Sequence, residues 1–245
     1  MSINLRHKEI LRLLDENGSV SIRDLTQTLY VSEATIRRDL NELEKSGALK
    51  RTFGGAKPII HTNRQVPLFI REALDSKAKS EICTQAAALV KEGSTIFIDG
   101  SSTAQYLVNH IASLTDIIVV TYSIKTAELM CRSHIKTYCA GGLLLENSFV
   151  CTGHKTLEFA NTINTDLCFI SCKGVSDDGK FTDTSEEETA IRRAFMQNSK
   201  TRVMLMTGNK FGNTYMHTLC NAEEVDAVFS DIDVPQEIKD KLRKK

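Results

Sequence analysis

The stretch that decides the fold is Val31–Ala56, which reads VSEATIRRDLNELEKSGALKRTFGGA. Ser32 supplies a hydroxyl that can accept a hydrogen bond from the first turn of a helix. Ile36, Leu40 and Leu43 then recur at the spacing of one apolar helix face. The pattern predicts a helix that begins after Ser32 and buries this face.

The opposite face of the predicted helix combines small, hydroxylic, amide and cationic side chains, namely Ala34, Thr35, Arg38, Asn41 and Lys45, with Arg37 on a flank. Arg can grip guanine or phosphate with two N–H groups, Asn can read adenine, and a small residue lets the backbone approach the bases. This face favours insertion into a DNA major groove. An ordinary amphipathic helix with solvated charges is the alternative that the stretch alone leaves open.

A second helix is predicted just before this one. Ser21 can N-cap it, and its apolar residues recur at helical spacing at Ile22, Leu25 and Leu29. Only Tyr30 and Val31 separate the two helices, which leaves room for a tight turn. An earlier helix ends at Asn17-Gly18, so the pattern is that of a helix-turn-helix.

A basic strand and a pair of glycines follow the predicted recognition helix. Residues 48–52 are short and extended, and Phe53-Gly54-Gly55-Ala56 offers two glycines for the positive φ of a tight hairpin. We interpret this as a β-wing whose Lys50 and Arg51 flank a groove or the phosphate backbone. From Lys45 to Arg71 there are six basic residues and no Asp or Glu, which suits phosphate contact or a solvated linker.

The stretch Val31–Ala56 closely resembles the signature of the DeoR family of bacterial transcriptional regulators. The resemblance implies a winged helix-turn-helix operator-binding domain, usually that of a repressor. The DNA-binding residues expected here are Ser32, Ala34, Thr35, Arg37, Arg38, Asn41, Lys50 and Arg51. Phe53 departs from the His that is common in the family, which we expect to alter a wing contact and not the fold.

The composition limits the class of protein. The chain has 245 residues, 41% of them hydrophobic, and zero formal net charge, enough for one large domain or two unequal ones. The seven cysteines are dispersed without a Cys-x-x-Cys pair, which favours buried thiols over a metal site. No signal-peptide core and no run of about 18 apolar residues is present. We therefore expect a soluble cytoplasmic protein without a metal.

The remainder of the chain predicts a second, α/β domain. Pro58 and Pro67 bracket a polar stretch, so we place the DNA-binding domain at residues 1–57, a linker at 58–72 and an effector-binding and oligomerisation domain at 73–245. Apolar, β-rich runs alternate with helical patterns there, at Thr95–Ile98, Ile117–Val120, Ile135–Cys139, Leu167–Ser171, Val203–Met206 and Ala227–Phe229. This alternation predicts a Rossmann-like domain with a mostly parallel sheet and helices on both faces.

Polar residues follow the predicted strands, where ligands gather in parallel sheets. The first strand ends in Asp99-Gly100-Ser101-Ser102-Thr103 and runs into a helix, an arrangement suited to a phosphate. Helix caps and turns use the same residues, so this loop alone is not decisive. The other strand ends supply Thr121, Ser123, Gly141, Gly142, Lys173 and Lys210. Together they favour a phosphorylated sugar, with ordinary loops as the alternative.

This half also resembles the C-terminal effector domain of the DeoR family. That domain is related to sugar-phosphate isomerases such as ribose-5-phosphate isomerase, which implies a sugar-phosphate ligand and no turnover. On this resemblance Ser101, Ser102 and Thr103 hold the phosphate, while Lys79, Lys173 and Lys210 add charge. The chain departs from the family at Tyr122, Leu145 and Thr207-Gly208-Asn209, and these departures are expected to change which sugar fits.

The leading hypothesis is a sugar-phosphate-responsive repressor of a carbohydrate operon that binds double-stranded DNA as a symmetric dimer or tetramer, needs no cofactor and is neither an enzyme nor a membrane protein. One alternative is an isomerase-like enzyme with an appended DNA-binding module, whose acid–base candidates would be Asp99, Asp177, Asp178, Lys173 and Glu188. A third interpretation makes the second domain purely an assembly module.

Overall fold

The computed structural model describes residues 3–59 and 66–243 of the chain. The chain forms two compact units, Met1–Ser76 and Lys77–Lys245. Within the described ranges, no helix is both long enough and apolar enough to cross a membrane.

The N-terminal unit is built from helices and a small antiparallel sheet. Its elements are α1 (Ile3–Asn17), β1 (Val20–Ser21), α2 (Ile22–Leu29), α3 (Glu33–Lys45), β2 (Leu49–Thr52), β3 (Gly55–Pro58) and α4 (Leu68–Ala73). The three strands pair in the order β1-β3-β2. This is the winged helix-turn-helix predicted from the sequence.

The predicted N-caps of the two central helices are both present. The Ser21 hydroxyl accepts a hydrogen bond of 3.0 Å from the N–H of Asp24, and the Ser32 hydroxyl accepts one of 3.2 Å from the N–H of Thr35. Between them Tyr30 takes a left-handed conformation with φ 54°, which makes the tight turn. Local capping chemistry therefore determines where α2 and α3 begin.

The wing is the hairpin of β2 and β3, but its turn differs from the prediction. Neither Gly54 nor Gly55 has positive φ, so the prediction of a turn based on left-handed glycines is wrong. Gly55 is needed for a different reason. Because β1 lies alongside β3, a Cβ on Gly55 would come within 1.8 Å of the carbonyl oxygen of Val20.

Part of the predicted linker is folded. In α4, Leu68 and Ile70 are buried, and Ile70 belongs to the hydrophobic core of the N-terminal unit. Lys8 of α1 lies 3.0 Å from Glu72 of α4. The compact unit thus extends past residue 57 to Ser76, because the apolar run that begins at Leu68 packs into this core.

The C-terminal unit alternates strands and helices. Its helices are α5 (Ser76–Ala87), α6 (Ser102–Gln105), α7 (Leu107–Ile111), α8 (Ile124–Arg132), α9 (His154–Thr162), α10 (Glu186–Gln197) and α11 (Gln236–Lys239). Its strands are β4 (Thr95–Ile98), β5 (Ile118–Thr121), β6 (Lys136–Cys139), β7 (Leu143–Leu145), β8 (Val150–Thr152), β9 (Thr165–Ile170), β10 (Gly174–Val175), β11 (Lys180–Asp183), β12 (Ser199–Met206), β13 (His217–Asn221) and β14 (Ala227–Ser230).

A six-stranded parallel sheet, in the order β14-β12-β9-β4-β5-β6, forms the centre of this unit and contains all six predicted strands. Successive residues of β4 point to opposite faces of the sheet and enter different hydrophobic cores. Phe97 belongs to one core, and Ile96 and Ile98 belong to the other. Helices α5 and α7 contribute to one core, and α9 and α10 to the other. Strand order diverges between β4 and β9, and ligands favour such a point in open α/β sheets.

Two smaller sheets were not predicted from the sequence. One is the β7–β8 hairpin, and the other is the antiparallel sheet β10-β11-β13. Strands β7, β8 and β10 have only two or three residues, too few to give a recognisable alternation of apolar and polar side chains, and β11 and β13 consist mostly of polar residues. Five of the seven cysteines, Cys168 and Cys172 among them, are buried, whereas Cys131 and Cys139 are exposed.

Asp166 joins β9 to β4 and gives the unit one acid-sensitive contact. It accepts hydrogen bonds from Lys200 Nζ at 2.7 Å and from the N–H of Thr95 at 2.9 Å. These bonds, with that from Lys200 the larger cause, hold the pKa of Asp166 below its ordinary value.

We expect Asp166→Asn to lower the free energy of unfolding at pH 7 by less than about 1 kcal/mol, because the pair is solvent-exposed. Since the folded pKa lies below the unfolded one of about 3.9, this contribution is present above that pH and is lost as pH falls through the folded value. Urea denaturation should therefore give the two proteins different stabilities at pH 7 and converging stabilities as the pH falls below the pKa of Asp166 in the folded state. An equal loss in Asp233→Asn, which removes another exposed carboxylate, would contradict this.

Candidate nucleic-acid interface and effector site

A buried ion pair fixes the inward side of α3. Asp39 is completely buried and accepts hydrogen bonds from Nε and Nη2 of Arg6, the latter at 2.8 Å. Nε2 of His7 lies 3.3 Å from Asp39 Oδ1. The hydrogen bond to Asp39 raises the pKa of Arg6 above its ordinary value. The recognition helix is thereby anchored to α1, a contact that the sequence analysis missed.

His7, Asp39 and Glu42 also place three potential metal-ligand atoms within 4.8 Å of one another. Both carboxylate oxygens of Asp39 already accept hydrogen bonds from Arg6. The cluster is therefore better described as part of the packing of α1 against α3 than as a metal centre.

The outward side of α3 carries the predicted DNA-binding residues. Ala34, Arg37, Arg38 and Asn41 are exposed, and Thr35 is half-buried. The structure brings these residues onto one surface. Ser32, also predicted to bind DNA, uses its hydroxyl to cap the helix, so a phosphate contact from this position would come through its backbone or a shared hydroxyl.

The predicted wing residues differ in their environment. Lys50 is exposed on β2, whereas Arg51 is half-buried. The Arg51 guanidinium donates to Asn41 Oδ1, and its backbone N–H donates to Glu44 Oε1 at 2.8 Å. The wing is therefore hydrogen-bonded to the recognition helix. Arg51 is placed to orient the Asn41 side chain.

Two exposed aromatic residues of the same unit lie outside the predicted set of DNA-binding residues. Tyr30, in the turn between α2 and α3, is 93% exposed, and Phe53, at the tip of the wing, is fully exposed. Large rings in full contact with water are unusual, since burial of an aromatic side chain is strongly favourable. The sequence distinguishes Phe53 by its departure from the family pattern, whereas nothing in the sequence distinguishes Tyr30.

In the C-terminal unit, Asp99 holds the two central strands together at their carboxyl ends. Its Oδ1 accepts from the N–H of Ser101 at 2.9 Å, and its Oδ2 accepts from the N–H of Ser171 at 3.0 Å. Ser101 also caps α6 by accepting from the N–H of Ala104 at 3.1 Å. The predicted phosphate loop is thus a preformed turn at the point where the strand order diverges.

This loop is closely packed. Ser102 and Thr103 are buried, and the Thr103 carbonyl accepts a hydrogen bond from the Cys83 thiol. A Cβ on Gly100 would lie 2.2 Å from Cγ1 of Val150 on β8. Glycine is required at position 100 because the β7–β8 hairpin lies against the loop.

The next two strand ends are also polar and largely engaged within the protein. Thr121 Oγ1 accepts from the N–H of Ser123 at 3.1 Å, and the Ser123 hydroxyl caps α8. Gly141 and Gly142 are exposed. A Cβ on Gly142 would lie 2.2 Å from Thr156 Oγ1, so this glycine permits a close approach of α9.

The three predicted lysines do not occupy equivalent places. Lys210 Nζ donates to Ser171 Oγ at 2.7 Å, which brings it to the residue that Asp99 also binds. Lys79 is buried on α5, one helical turn before Cys83, whose thiol donates to the loop at the Thr103 carbonyl. Lys173 Nζ lies 4.8 Å from the centre of the Tyr215 ring. Lys210 and Lys79 therefore belong with the Asp99 loop more clearly than Lys173 does.

A buried arginine beside this loop was missed. Arg192 of α10 is 3% exposed. It donates to Asp183 and Glu188, each at 2.7 Å, and its Nε lies 3.3 Å from Asp99 Oδ2. Burial opposes its charge, but the surrounding acidic groups outweigh burial and hold the pKa of Arg192 above its ordinary value. Its position among apolar residues of a helix gave no sequence signal.

Arg192 also explains the departure at position 122. Its Nε donates to the Tyr122 hydroxyl at 3.1 Å. The Tyr122 ring is buried and stacks 6.0 Å from the Phe97 ring. Burial raises the pKa of this hydroxyl. Tyr122 therefore belongs to the core and to the arginine cluster beneath the loop.

A separate polar cleft of about 240 Å³ is lined by residues of α10, β12 and β13. Its two arginines are engaged, since Arg193 donates to the Leu219 carbonyl and Arg202 to the Met196 carbonyl. None of the predicted effector residues lines this cleft.

The N-terminal unit is a winged helix-turn-helix with an exposed cationic helix, and the C-terminal unit is an α/β domain with helices on both faces of its sheet. Together they define the class of protein as a DNA-binding regulator with a sensor domain. Family models agree with this class. The DeoR-like helix-turn-helix domain matches residues 6–62, and the DeoR C terminal sensor domain matches residues 74–232. The chain belongs to the DeoR family of transcriptional regulators.

Relatives of known name cover nearly the whole chain. The HTH-type transcriptional regulator GolR of Listeria innocua is 32% identical over 92% of this chain and 89% of its own length. The glycerol-3-phosphate regulon repressor of Escherichia coli is 29% identical over 94% and 91%. Among solved structures, ribose 5-phosphate isomerase A from Methanocaldococcus jannaschii aligns at 16% identity with a TM-score of 0.43, over 56% of this chain and 55% of that chain.

Proposed function

We propose that this regulator represses a carbohydrate-metabolism operon and leaves its operator when a phosphorylated sugar binds the C-terminal unit. The observation that carries the DNA half is the outward face of α3, on which exposed Arg37, Arg38 and Asn41 surround Ala34. The effector half is supported by the convergence of Asp99 and Lys210 on Ser171 where the strand order diverges. We propose repression by analogy with the glycerol-3-phosphate regulon repressor.

Operator recognition would use two copies of α3. A symmetric homo-oligomer, either a dimer or a tetramer, places two recognition helices in successive major grooves. Thr35, Arg38 and Asn41 would meet base edges. The remaining proposed contacts are chiefly to phosphates, and the small side chain of Ala34 would let the helix backbone approach the DNA. These contacts would come from Ser32, Ala34, Arg37, Lys50 and Arg51.

We expect Arg38→Ala to weaken operator binding by about 1–3 kcal/mol and to leave sugar-phosphate binding intact. The guanidinium is exposed on α3, so its loss removes a DNA contact without disturbing the core. Fluorescence anisotropy with a duplex selected by the wild-type protein measures the change at fixed salt. Arg132→Ala, which removes an exposed arginine from α8, is the control; an equal loss there would refute the assignment.

We expect Phe53→Ala to weaken operator binding by about 1 kcal/mol, because the ring at the wing tip is placed to pack against sugars or bases of a groove. Phe53→His should retain more affinity than Phe53→Ala. The same anisotropy assay compares them with Met216→Ala, which removes an exposed apolar side chain from the other unit. Unchanged affinity in Phe53→Ala would mean that the wing tip does not touch DNA.

In the effector site, the backbone N–H groups of Ser102 and Thr103 and the hydroxyls of Ser101, Ser102 and Thr103 would receive the phosphate, with Lys79 and Lys210 balancing its charge. The complete proposed set is Lys79, Asp99, Gly100, Ser101, Ser102, Thr103, Thr121, Ser123, Gly141, Gly142, Lys173 and Lys210. Sugar binding would lower operator affinity by a coupling free energy of roughly 1–3 kcal/mol. We propose no turnover, since Asp99 and Glu188 are engaged with Arg192.

A thermal-shift panel of pentose and hexose phosphates against the corresponding free sugars tests the effector half. A stabilising phosphorylated sugar should also release the operator in the anisotropy assay and raise transcription from a reporter. Stabilisation by free sugars alone would overturn the phosphate site, and conversion of a sugar phosphate, followed by NMR, would favour the isomerase alternative. The cytoplasmic location expected from the sequence stays a prediction.

A further inference from the structure

Exposed apolar side chains of the C-terminal unit gather around the β7–β8 hairpin. Of the ten large hydrophobic residues that are exposed in the described part of the chain, five lie here: Leu143 at 69%, Leu144 at 50%, Phe149 at 48%, Tyr138 at 46% and Ile124 at 41%. The N–H of Ile124 donates to the Phe149 carbonyl at 3.0 Å, and β7 follows β6 after three residues. We call these five residues the hairpin face.

The neighbouring strand β6 is an open edge. It ends the described six-stranded sheet and pairs only with β5 there. Natural edge strands are usually protected by charge, proline or a bulge. In β6 the one charged residue, Lys136, lies 5.5 Å from the centre of the Tyr138 ring, and both Tyr138 and Cys139 are exposed. The strand is thus short and carries one lysine, but the rest of its exposed surface, at Tyr138 and Cys139, is uncharged.

The size and chemistry of this region fit a second copy of the same chain. At roughly 200 Å² for a fully exposed large side chain, the hairpin face offers on the order of 500 Å² of apolar surface. A standard interface buries about 800 Å² on each partner. An edge strand can pair antiparallel with its own copy about a two-fold axis, and the same patch then meets itself.

We propose that β6 and the hairpin face form a two-fold interface between two copies of this chain, joining their sheets edge to edge. This proposal rests on the proposed function, which requires a symmetric oligomer, and it names the surface that forms it. None of the five residues of the hairpin face is charged, so each copy presents the other with a surface that loses little on desolvation.

The interface is also connected to the proposed effector site. Ser148, buried in the turn between β7 and β8, donates to Glu188 Oε1 at 3.1 Å. Oε2 of Glu188 accepts from Arg192, and Arg192 in turn lies against Asp99, which binds the N–H of Ser101. A ligand at the Asp99 loop would therefore act on the hairpin that carries the interface.

The test compares the masses of full-length proteins by sedimentation velocity over a range of concentrations. Leu143→Glu with Leu144→Glu should raise the dissociation constant of the dimer by at least about a hundredfold, because charges replace the apolar contact. Met216→Glu with Ile232→Glu, two exposed apolar residues outside the hairpin face, should sediment as wild type. A monomeric wild type, or a hairpin variant of unchanged mass, overturns the proposal.

A second measurement guards against misfolding of the hairpin variant. A bismaleimide with a reach of about 13 Å, the length of the four-residue strand β6, should join two copies of the wild type through Cys139. Cys139→Ser retains the exposed Cys131 and should give no covalent dimer. Absence of the wild-type dimer, or its persistence in Cys139→Ser, overturns the edge-to-edge arrangement.

Neither measurement uses DNA or a sugar, so the interface can fail while operator binding stands. Conversely, the chain could form this dimer and bind no DNA, in which case the proposed function fails and the interface remains.

Discussion

Replacing Asp39 by Ala is expected to lower the free energy of unfolding of the N-terminal unit by about 3–5 kcal/mol. The substitution leaves Arg6 buried and charged, without its carboxylate partner, and it removes the neighbour of His7. Domains of this kind are stable by only about 5–15 kcal/mol. A large fraction of the stability of the unit should therefore be lost.

Hydrogen exchange followed by mass spectrometry measures this loss within α1 and α3 while peptides of the C-terminal unit act as an internal reference. Operator binding should fall with the population of folded unit. Glu33→Ala, which removes an exposed carboxylate from the same helix, should change stability by less than about 1 kcal/mol. A similarly small change in Asp39→Ala would show that the ion pair does not anchor α3.

A double variant separates the loss of a partner from the loss of the pair. Replacing a buried ion pair by apolar residues of similar volume is often neutral, whereas removing one partner is not. Arg6→Met with Asp39→Leu should therefore recover much of the stability lost in Asp39→Ala. Failure to recover would mean that Asp39 acts through more than charge balance with Arg6.

The parts of the fold that were predictable from the sequence depend on neighbouring residues. Ser21 and Ser32 predict the starts of α2 and α3, because an N-cap side chain binds a backbone N–H only three positions further along the chain. The six central strands follow from apolar runs bounded by turns, as in Thr95–Ile98, for which the predicted and observed bounds agree. Information of this kind lies within a few positions of the chain.

The parts that were not predictable depend on partners far apart in the chain. Arg6 and Asp39 are separated by 33 positions, and Arg192 and Tyr122 by 70. Nothing local distinguishes such an arginine from a solvated one. The glycine of the wing was assigned a conformational role, whereas Gly55 is needed because another strand passes close to it.

The candidate effector site shows the same division. The polar residue types at its strand ends could be recognised in the sequence, but the hydrogen bonds that these residues make within the protein could not. Ser101 and Ser123 cap helices, and Thr121 binds the N–H of Ser123. A sugar phosphate would have to use their remaining hydrogen-bonding capacity and the backbone N–H groups. Tyr122, one of the departures from the family that are expected to change which sugar fits, fills the core beneath the site.

Arg192→Leu should produce the largest effect in the C-terminal unit, a loss of about 3–5 kcal/mol in the free energy of unfolding at pH 7. One guanidinium lies among Asp99, Asp183 and Glu188, and its removal leaves three acidic groups without their shared cation. The Asp99 loop should loosen, because Asp99 also holds the ends of β4 and β9.

Arg193→Leu is a matched control, since it removes the adjacent arginine of α10, whose acceptors are the carbonyls of Leu219 and Thr218. Its loss should be smaller, about 1 kcal/mol, because Arg193 is exposed and water can replace its two hydrogen bonds. Urea denaturation followed by circular dichroism gives the stabilities. Equal losses in the two variants would contradict a special role for the buried cluster.

Arg192→Lys distinguishes stability from signalling. It keeps the positive charge but cannot contact Asp183, Glu188 and Tyr122 at once, because an ammonium lacks the planar fork of a guanidinium. We expect it to fold and to bind operator as wild type while responding less to a stabilising sugar phosphate. A variant that lost stability but kept a normal response would make Arg192 structural only, and the connection from the Asp99 loop to the hairpin would not run through it.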